Sequence, residues 1–185
     1  MQPASATTSF ALLEEFGEIL SYPGENYLRE VDACRNAVAE IDAEAAQYLT
    51  DFSARTDALA VEELQELYVQ TFDLNPVCAL EVGWQLYGDN YDRGNFLVKM
   101  RQELERYGVP EDTELPDHLR HVLPLLARME AAEAVSFGRA NVLPALSKIL
   151  VAFEGKNSPY ESALKALSLI LELMTRATMQ EAHHA

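Results

Sequence analysis

Apolar residues recur at steps of three and four along nearly the whole chain, and the eight glycines and eight prolines fall mostly between those segments. Helices present one face at that spacing and strands do not, so the pattern predicts an all-helical protein. Phe10, Leu13, Phe16 and Leu20 share one face, and Tyr22-Pro23-Gly24 ends their segment with turn residues. From Asn26 a second stripe runs through Tyr27, Val31, Cys34, Val38, Ile41, Ala45 and Tyr48, the mark of one long amphipathic helix. Cys34 lies inside that stripe and reads as a small buried hydrophobe. Val61, Leu64, Leu67, Tyr68 and Phe72 mark a third helix. Asn75-Pro76 stops it, because proline has no N–H to donate and pushes its predecessor out of the helical region.

After Gly88, Asp89 is expected to cap a helix with Asp92 in its first turn, Phe96, Leu97, Met100, Leu104 and Tyr107 facing inward, and Gly108 with Pro110 closing the end. Leu115-Pro116 is expected to open the next helix, placing Asp117 near the positive end of its dipole. Pro124 lies too deep for a helix start, so that element must kink or split. The stretch from Val142 to Phe153 is apolar on nearly all sides and is expected to run through the middle of the domain, ending at Gly155. Ser158, Pro159 and Glu161 read as the capping box of the last helix. The whole, residues 1–185, reads as a single compact all-helical domain of roughly seven helices, with 1–8 and 180–185 as loose ends.

Charge narrows the function. Thirty acidic side chains against fourteen basic ones give a formal charge of −16, which repels a phosphate backbone. No basic patch overrides the total, since Lys99 to Arg106 is interleaved with Glu103 and Glu105. Nucleic acid is therefore excluded and a basic partner favoured. Cys34 and Cys78 lack the spacing of a zinc ribbon or a redox motif. No apolar run is long enough to span a membrane, and Met1 to Ser9 does not read as a secretory signal, so the expected compartment is the cytoplasm.

The signatures of catalysis fail in turn: there is no HExxH, phosphate-cradling glycine loop, GxSxG or EF-hand pattern. Glu181 with His184 is an accidental match to a di-iron motif at the tail, where His183 and His184 read as solvated. His118 and His121 stand three apart, a spacing that can share a metal, but two ligands do not make a site. The expectation is no catalytic residue and no metal.

From Tyr68 to Gly94 the chain mixes aromatics, turn residues and isolated charges, and it holds the only tryptophan, Trp84. Three blocks carry a likeness: Tyr68-x-x-x-Phe72-Asp73-Leu74-Asn75-Pro76, then Leu86-Tyr87-Gly88-Asp89 with Arg93-Gly94, and Glu114-Leu115-Pro116-Asp117-His118-Leu119. In their order, and with the helical spacing around them, the chain resembles the cytoplasmic molybdoenzyme maturation chaperones of the NarJ, TorD and DmsD type. The branch it resembles most is that of the nitrate reductase molybdenum cofactor assembly chaperones.

The resemblance implies an all-helical, non-catalytic protein that binds the N-terminal segment of a molybdoenzyme catalytic subunit, nitrate reductase-like, and assists molybdenum cofactor insertion and complex assembly. Selenate, chlorate or hydrocarbon-oxidising enzymes are the alternative clients, and a helical nucleotide hydrolase is a lower alternative. It also implies no stably bound cofactor, transient contact with molybdenum cofactor or guanine nucleotide, cofactor biosynthesis proteins as further partners, and a monomer or domain-swapped dimer. Tyr68, Phe72, Asp73, Leu86, Tyr87, Asp89, Arg93, Leu115, Pro116, Asp117 and His118 are the implied client-peptide residues. Among them Asp117 would face a basic peptide side chain, and Tyr68, Phe72 and Tyr87 would be groove aromatics.

Each has a plainer reading beside it: a dipole-favoured aspartate, core packing for the rings, and a local ion pair between Asp89 and Arg93. Asn75-Pro76 shapes a turn, and Gly88 and Gly94 are read as places where backbones approach closely. The acidic balance independently suits a groove with apolar walls and an acidic rim.

Overall fold

Helices with one apolar face bury it pairwise, and that is how this chain assembles. The computed structural model describes residues 6–184, with side chains described from 10 to 180. The helix α1 (Ala6–Ile19) packs on α7 (Leu119–Arg128) and on α2 (Tyr27–Ala39), and α2 packs on α3 (Ala43–Thr56). Helix α4 (Val61–Tyr68) continues into a π turn, Val69–Asp73, followed by a 3-10 turn, Pro76–Cys78. The short α5 (Val82–Tyr87) and longer α6 (Tyr91–Arg106) come next. Helix α8 (Ala131–Phe137) runs through a second π turn, Gly138–Val142, into α9 (Leu143–Phe153), and α10 (Tyr160–His184) lies across α1, α3, α8 and α9.

The inward stripes meet in one apolar core, in which Phe10, Leu13, Phe16, Val31, Cys34, Val38, Leu49 and Phe52 are buried. Tyr68, Phe72, Phe153 and Tyr160 form an edge-to-face aromatic cluster within it. Such packing is stabilising beyond the area it buries.

Several elements depart from the periodic reading, each for a local reason. The long second stripe is broken in two. Asp42 leaves the helical region (φ −147°) and its carboxylate accepts the Ala45 N–H at 2.8 Å, so it caps a new helix that folds back on the first. Helix α7 passes through Pro124 as one element. Proline there removes the donor for the Arg120 carbonyl. That carbonyl and the Pro124 ring face Gly17 of α1, where an added Cβ would stand 3.5 and 3.2 Å from them.

Helix α6 is capped by Asn90, which accepts the Asp92 N–H, rather than by Asp89. Around Gly88 and Gly94 there is open space where a Cβ would stand, so neither is a place of close backbone approach. Leu115-Pro116 opens no helix; α7 starts at Leu119 with His118 as its cap. Helix α9 is not central, since its Val151 flank is 63% exposed. The expected capping box of α10 does not form: the Ser158 hydroxyl is buried without a partner, and Glu161 pairs with Lys165 at 2.7 Å. These breaks make ten α-helices among the described residues where the sequence suggested fewer. Residues 6–8 and 180–184 belong to α1 and α10, while 1–5 and 185 lie outside the described residues. No described helix is long and apolar enough to cross a membrane.

Candidate functional site: an acid-lined pocket

Two short segments far apart in sequence are stitched together beside the core. Glu81 and His118 form an isolated antiparallel bridge, the Val82 N–H donates to the Asp117 carbonyl at 2.8 Å, and the Leu119 N–H donates to the Leu80 carbonyl at 3.0 Å. This brings the start of α5 against Asp117, whose carboxylate accepts the Gly83 N–H at 3.0 Å. Asp117 thus caps a helix, but not its own. Gly83 has to be glycine, because a Cβ there would stand 2.7 Å from both Asp117 Oδ2 and Phe96 Cδ1.

From α6, Arg93 reaches the same spot, with Nε 3.7 Å from Asp117 Oδ2 and the guanidinium 5.2 Å from the centre of the Trp84 ring. Trp84 is itself fixed, its indole N–H donating to the Pro76 carbonyl at 2.8 Å. Burial raises the Asp117 pKa, and Arg93 and the backbone amides of α5 oppose the rise. The same burial pushes His118 down to about 3, so its ring is neutral. Its Nδ1 accepts the Arg120 N–H at 3.0 Å, and its Nε2 lies 3.4 Å from the Tyr68 hydroxyl.

Over this floor opens a pocket of about 250 Å³. Phe72, Pro76, Leu80 and Trp84 form its apolar walls; Asp73, Glu81 and Glu114 supply its carboxylates; Arg93 and His118 complete it. Burial raises the pKa of all three carboxylates, with Asp117 adding to the rise at Glu81 and Asp73 to that at Glu114. None of the three is in an ion pair among the described residues. Pro76 and Trp84 also form one wall of a broader, shallower saddle of about 590 Å³, lined by Val77, Leu86, Tyr87 and Val151. Val77 and Val151 are more than half exposed there. A concavity with unpaired carboxylates beside exposed aliphatic and aromatic surface is suited to a ligand that carries a cation next to apolar groups.

The sequence-derived residues divide into groups. Phe72, Asp73, Arg93 and His118 line the pocket, and Leu86 and Tyr87 line the saddle. Tyr68 is a core ring, 2% exposed, that touches the pocket only through His118. Asp117, at 0% exposure, cannot face a peptide side chain; its Oδ2 accepts the Gly83 N–H, with Arg93 Nε 3.7 Å away. Asp89, Leu115 and Pro116 line neither cavity. Arg93 turns to Asp117 instead of pairing with Asp89, which lies outside α6, ahead of its Asn90 cap.

Sequence reasoning missed Glu81, Glu114, Pro76 and Gly83 as parts of this region. The signals available were Trp84, the only tryptophan, and the places of Pro76 and Glu114 inside the blocks that carry the family likeness. The nitrogens of His121 are engaged within the chain, Nδ1 with the Leu115 carbonyl at 3.0 Å and Nε2 with Asp112 at 3.1 Å. No cluster of His, Cys, Asp and Glu is placed to hold a metal among the described residues.

A family model described as nitrate reductase delta subunit matches residues 32–166. A Bacillus subtilis protein described as a nitrate reductase molybdenum cofactor assembly chaperone, NarJ, is 28% identical over 159 residues, covering 83% of this chain and 84% of that protein. The Escherichia coli K12 chaperone NarJ is 29% identical over 99 residues, 53% of this chain and 42% of the relative's length. Among solved structures, a redox enzyme maturation protein from Archaeoglobus fulgidus superposes with a TM-score of 0.61, covering 93% of this chain and 96% of that one at 22% identity, a likeness of fold.

Proposed function

This chain belongs to the nitrate reductase delta subunit family, and from that premise we propose that it holds the N-terminal segment of a nitrate reductase-like catalytic subunit while the molybdenum cofactor is inserted. Its role is that of an assembly chaperone, not of an enzyme. The observation that carries the proposal is the pocket, in which Asp73, Glu81 and Glu114 stand unpaired beside the apolar saddle and share Pro76 and Trp84 with it. A client segment with a basic side chain followed by apolar residues fits this arrangement, charge steering the encounter and apolar contact prolonging it. The anion that meets the client is then this set of three carboxylates, with Asp117 holding the floor beneath them.

Calorimetric titration with the N-terminal peptide of a nitrate reductase catalytic subunit tests the proposal. Binding is expected at low salt and to weaken as salt rises. Replacing Glu81 and Glu114 together by glutamine is expected to weaken binding about tenfold to a hundredfold, the effect of losing favourable charge at a partly desolvated contact. The fold should tolerate that change, because both carboxylates are destabilised by burial where they stand. No binding by the unaltered protein at low salt overturns the proposal.

A further inference from the structure

Arg93 is the only charged cation lining the acid pocket among the described residues, and it is poorly bonded there. Its Nε lies 3.7 Å from Asp117 Oδ2, beyond hydrogen-bond range, and is buried without a partner. Asp117 Oδ1 is likewise buried and unpartnered. A guanidinium serving only to neutralise Asp117 would close on it as a two-pronged pair at about 2.8 Å. Instead Arg93 stands off, stacked on Trp84, with its side chain still 20% exposed toward the pocket.

We infer that Arg93 is an internal stand-in for the client's cation: in the free protein its guanidinium occupies the cationic place on Trp84 among Asp73, Glu81 and Glu114, and an incoming basic side chain takes that place by displacing it. This rests on the reading of the pocket as the client site. The displaced side chain has somewhere to go, since withdrawal toward Asp117 closes the gap and lets the unpartnered Nε and Oδ1 satisfy each other. Until then Arg93 favours the charged form of Glu81 against its burial. It also makes binding a competition, in which a bare monovalent ion gains little and a cationic side chain that also covers apolar wall gains more.

Removing Arg93 alone leaves Asp117 buried and uncompensated, which threatens the fold. The test therefore compares Asp117→Asn with the double variant Arg93→Gln/Asp117→Asn, both of which keep an acceptor for the Gly83 N–H. The probe is a synthetic peptide with arginine followed by a leucine run, titrated calorimetrically beside a twin carrying neutral citrulline in place of arginine. The double variant is expected to bind the arginine peptide about tenfold more tightly than Asp117→Asn, the effect of removing one competing charge at a partly desolvated site. The citrulline twin should show no such gain. Equal or weaker binding by the double variant, or an equal gain with citrulline, overturns the inference while leaving the client site standing. Failure of the unaltered protein to bind the arginine peptide removes both.

Discussion

In α1, α2, α3 and α10 the residues spaced by three and four are buried and most charged ones face outward; on either side of α6, from Val69 to Gly88 and from Gly108 to Leu119, that assignment breaks down. There the chain passes through a π turn, a 3-10 turn and a six-residue helix, leaves Leu74, Val77, Tyr87 and Leu115 exposed, and buries Asp117 and His118. Exposed apolar groups and buried polar ones both cost stability, so a chain that concentrates them in one region is under a demand there other than folding. The helical half supplies the stability. The irregular segments, stitched to one another by the Glu81–His118 bridge, present the surface.

The most direct way to break this division is to remove a ring from each half. Phe52 is fully buried and packs on Tyr160 with tilted rings whose centres are 5.3 Å apart, so Phe52→Ala is expected to lose about 3–5 kcal/mol of unfolding free energy in urea. Trp84→Ala, in the partly exposed half, is expected to cost about 1 kcal/mol or less in the same measurement but to abolish detectable peptide binding. If Trp84→Ala proves as destabilising as Phe52→Ala, the two regions do not divide labour in this way.

A smaller effect sharpens the boundary between them. Gly83→Ala places a methyl 2.7 Å from both Asp117 and Phe96, neither of which is a free end that can swing aside, and is expected to cost about 1–3 kcal/mol. Gly17→Ala, with its nearest contact at 3.2 Å from the Pro124 ring, should cost less, because that neighbour need give only a few tenths of an ångström. Thermal melts of both variants check the order. The reverse order would mean that the α1–α7 contact, and not the Asp117 junction, is the tighter joint.

The same contrast decides what could be read from the chain itself. The all-helical class, the inward faces of α1, α4 and α6, and the stop at Asn75-Pro76 follow from periodicity and from proline's missing donor, both local properties. The site is only half legible, because its logic is tertiary. Asp117 has the sequence signature of a helix-start aspartate, and it is one, but for α5, 34 residues earlier in the chain. Glu81 is an unremarkable glutamate, and Glu114 only the first residue of a likeness block, until the bridge brings their segments together. Gly83 sits in a plain helix pattern, and its need for hydrogen in place of a side chain exists only because Asp117 and Phe96 arrive from elsewhere. Asp42, by contrast, broke the long second stripe by a local cap, and an aspartate three residues before Ala45 was a visible warning.

The smallest expected effect concerns His118, whose folded-state pKa of about 3 lies below its ordinary value of 6.5 because burial disfavours the imidazolium. A depressed histidine pKa means that the unfolded chain takes up a proton first as pH falls. Stability is therefore intact above about pH 6.5 and declines through the window down to about 3 at up to about 1.4 kcal/mol per pH unit. Asp73, Glu81 and Glu114 act in the opposite sense, since their raised pKa values make the folded state the better proton acceptor and relieve their burial as pH drops. Their contribution, and that of Asp117, whose pKa burial also raises, is common to the unaltered protein and a His118 variant, so between pH 7 and about 5 the difference between the two isolates the histidine. His118→Gln, which retains an acceptor for the Arg120 N–H, is expected to lose about 1–2 kcal/mol less than the unaltered protein over that interval, read from urea midpoints at the two pH values. Parallel pH dependence in the two proteins would mean that His118 already protonates in place and that the pocket floor is wetter than its burial indicates. In that case a cationic client would meet a positive histidine at mildly acidic pH, and binding would weaken there through repulsion at the pocket floor.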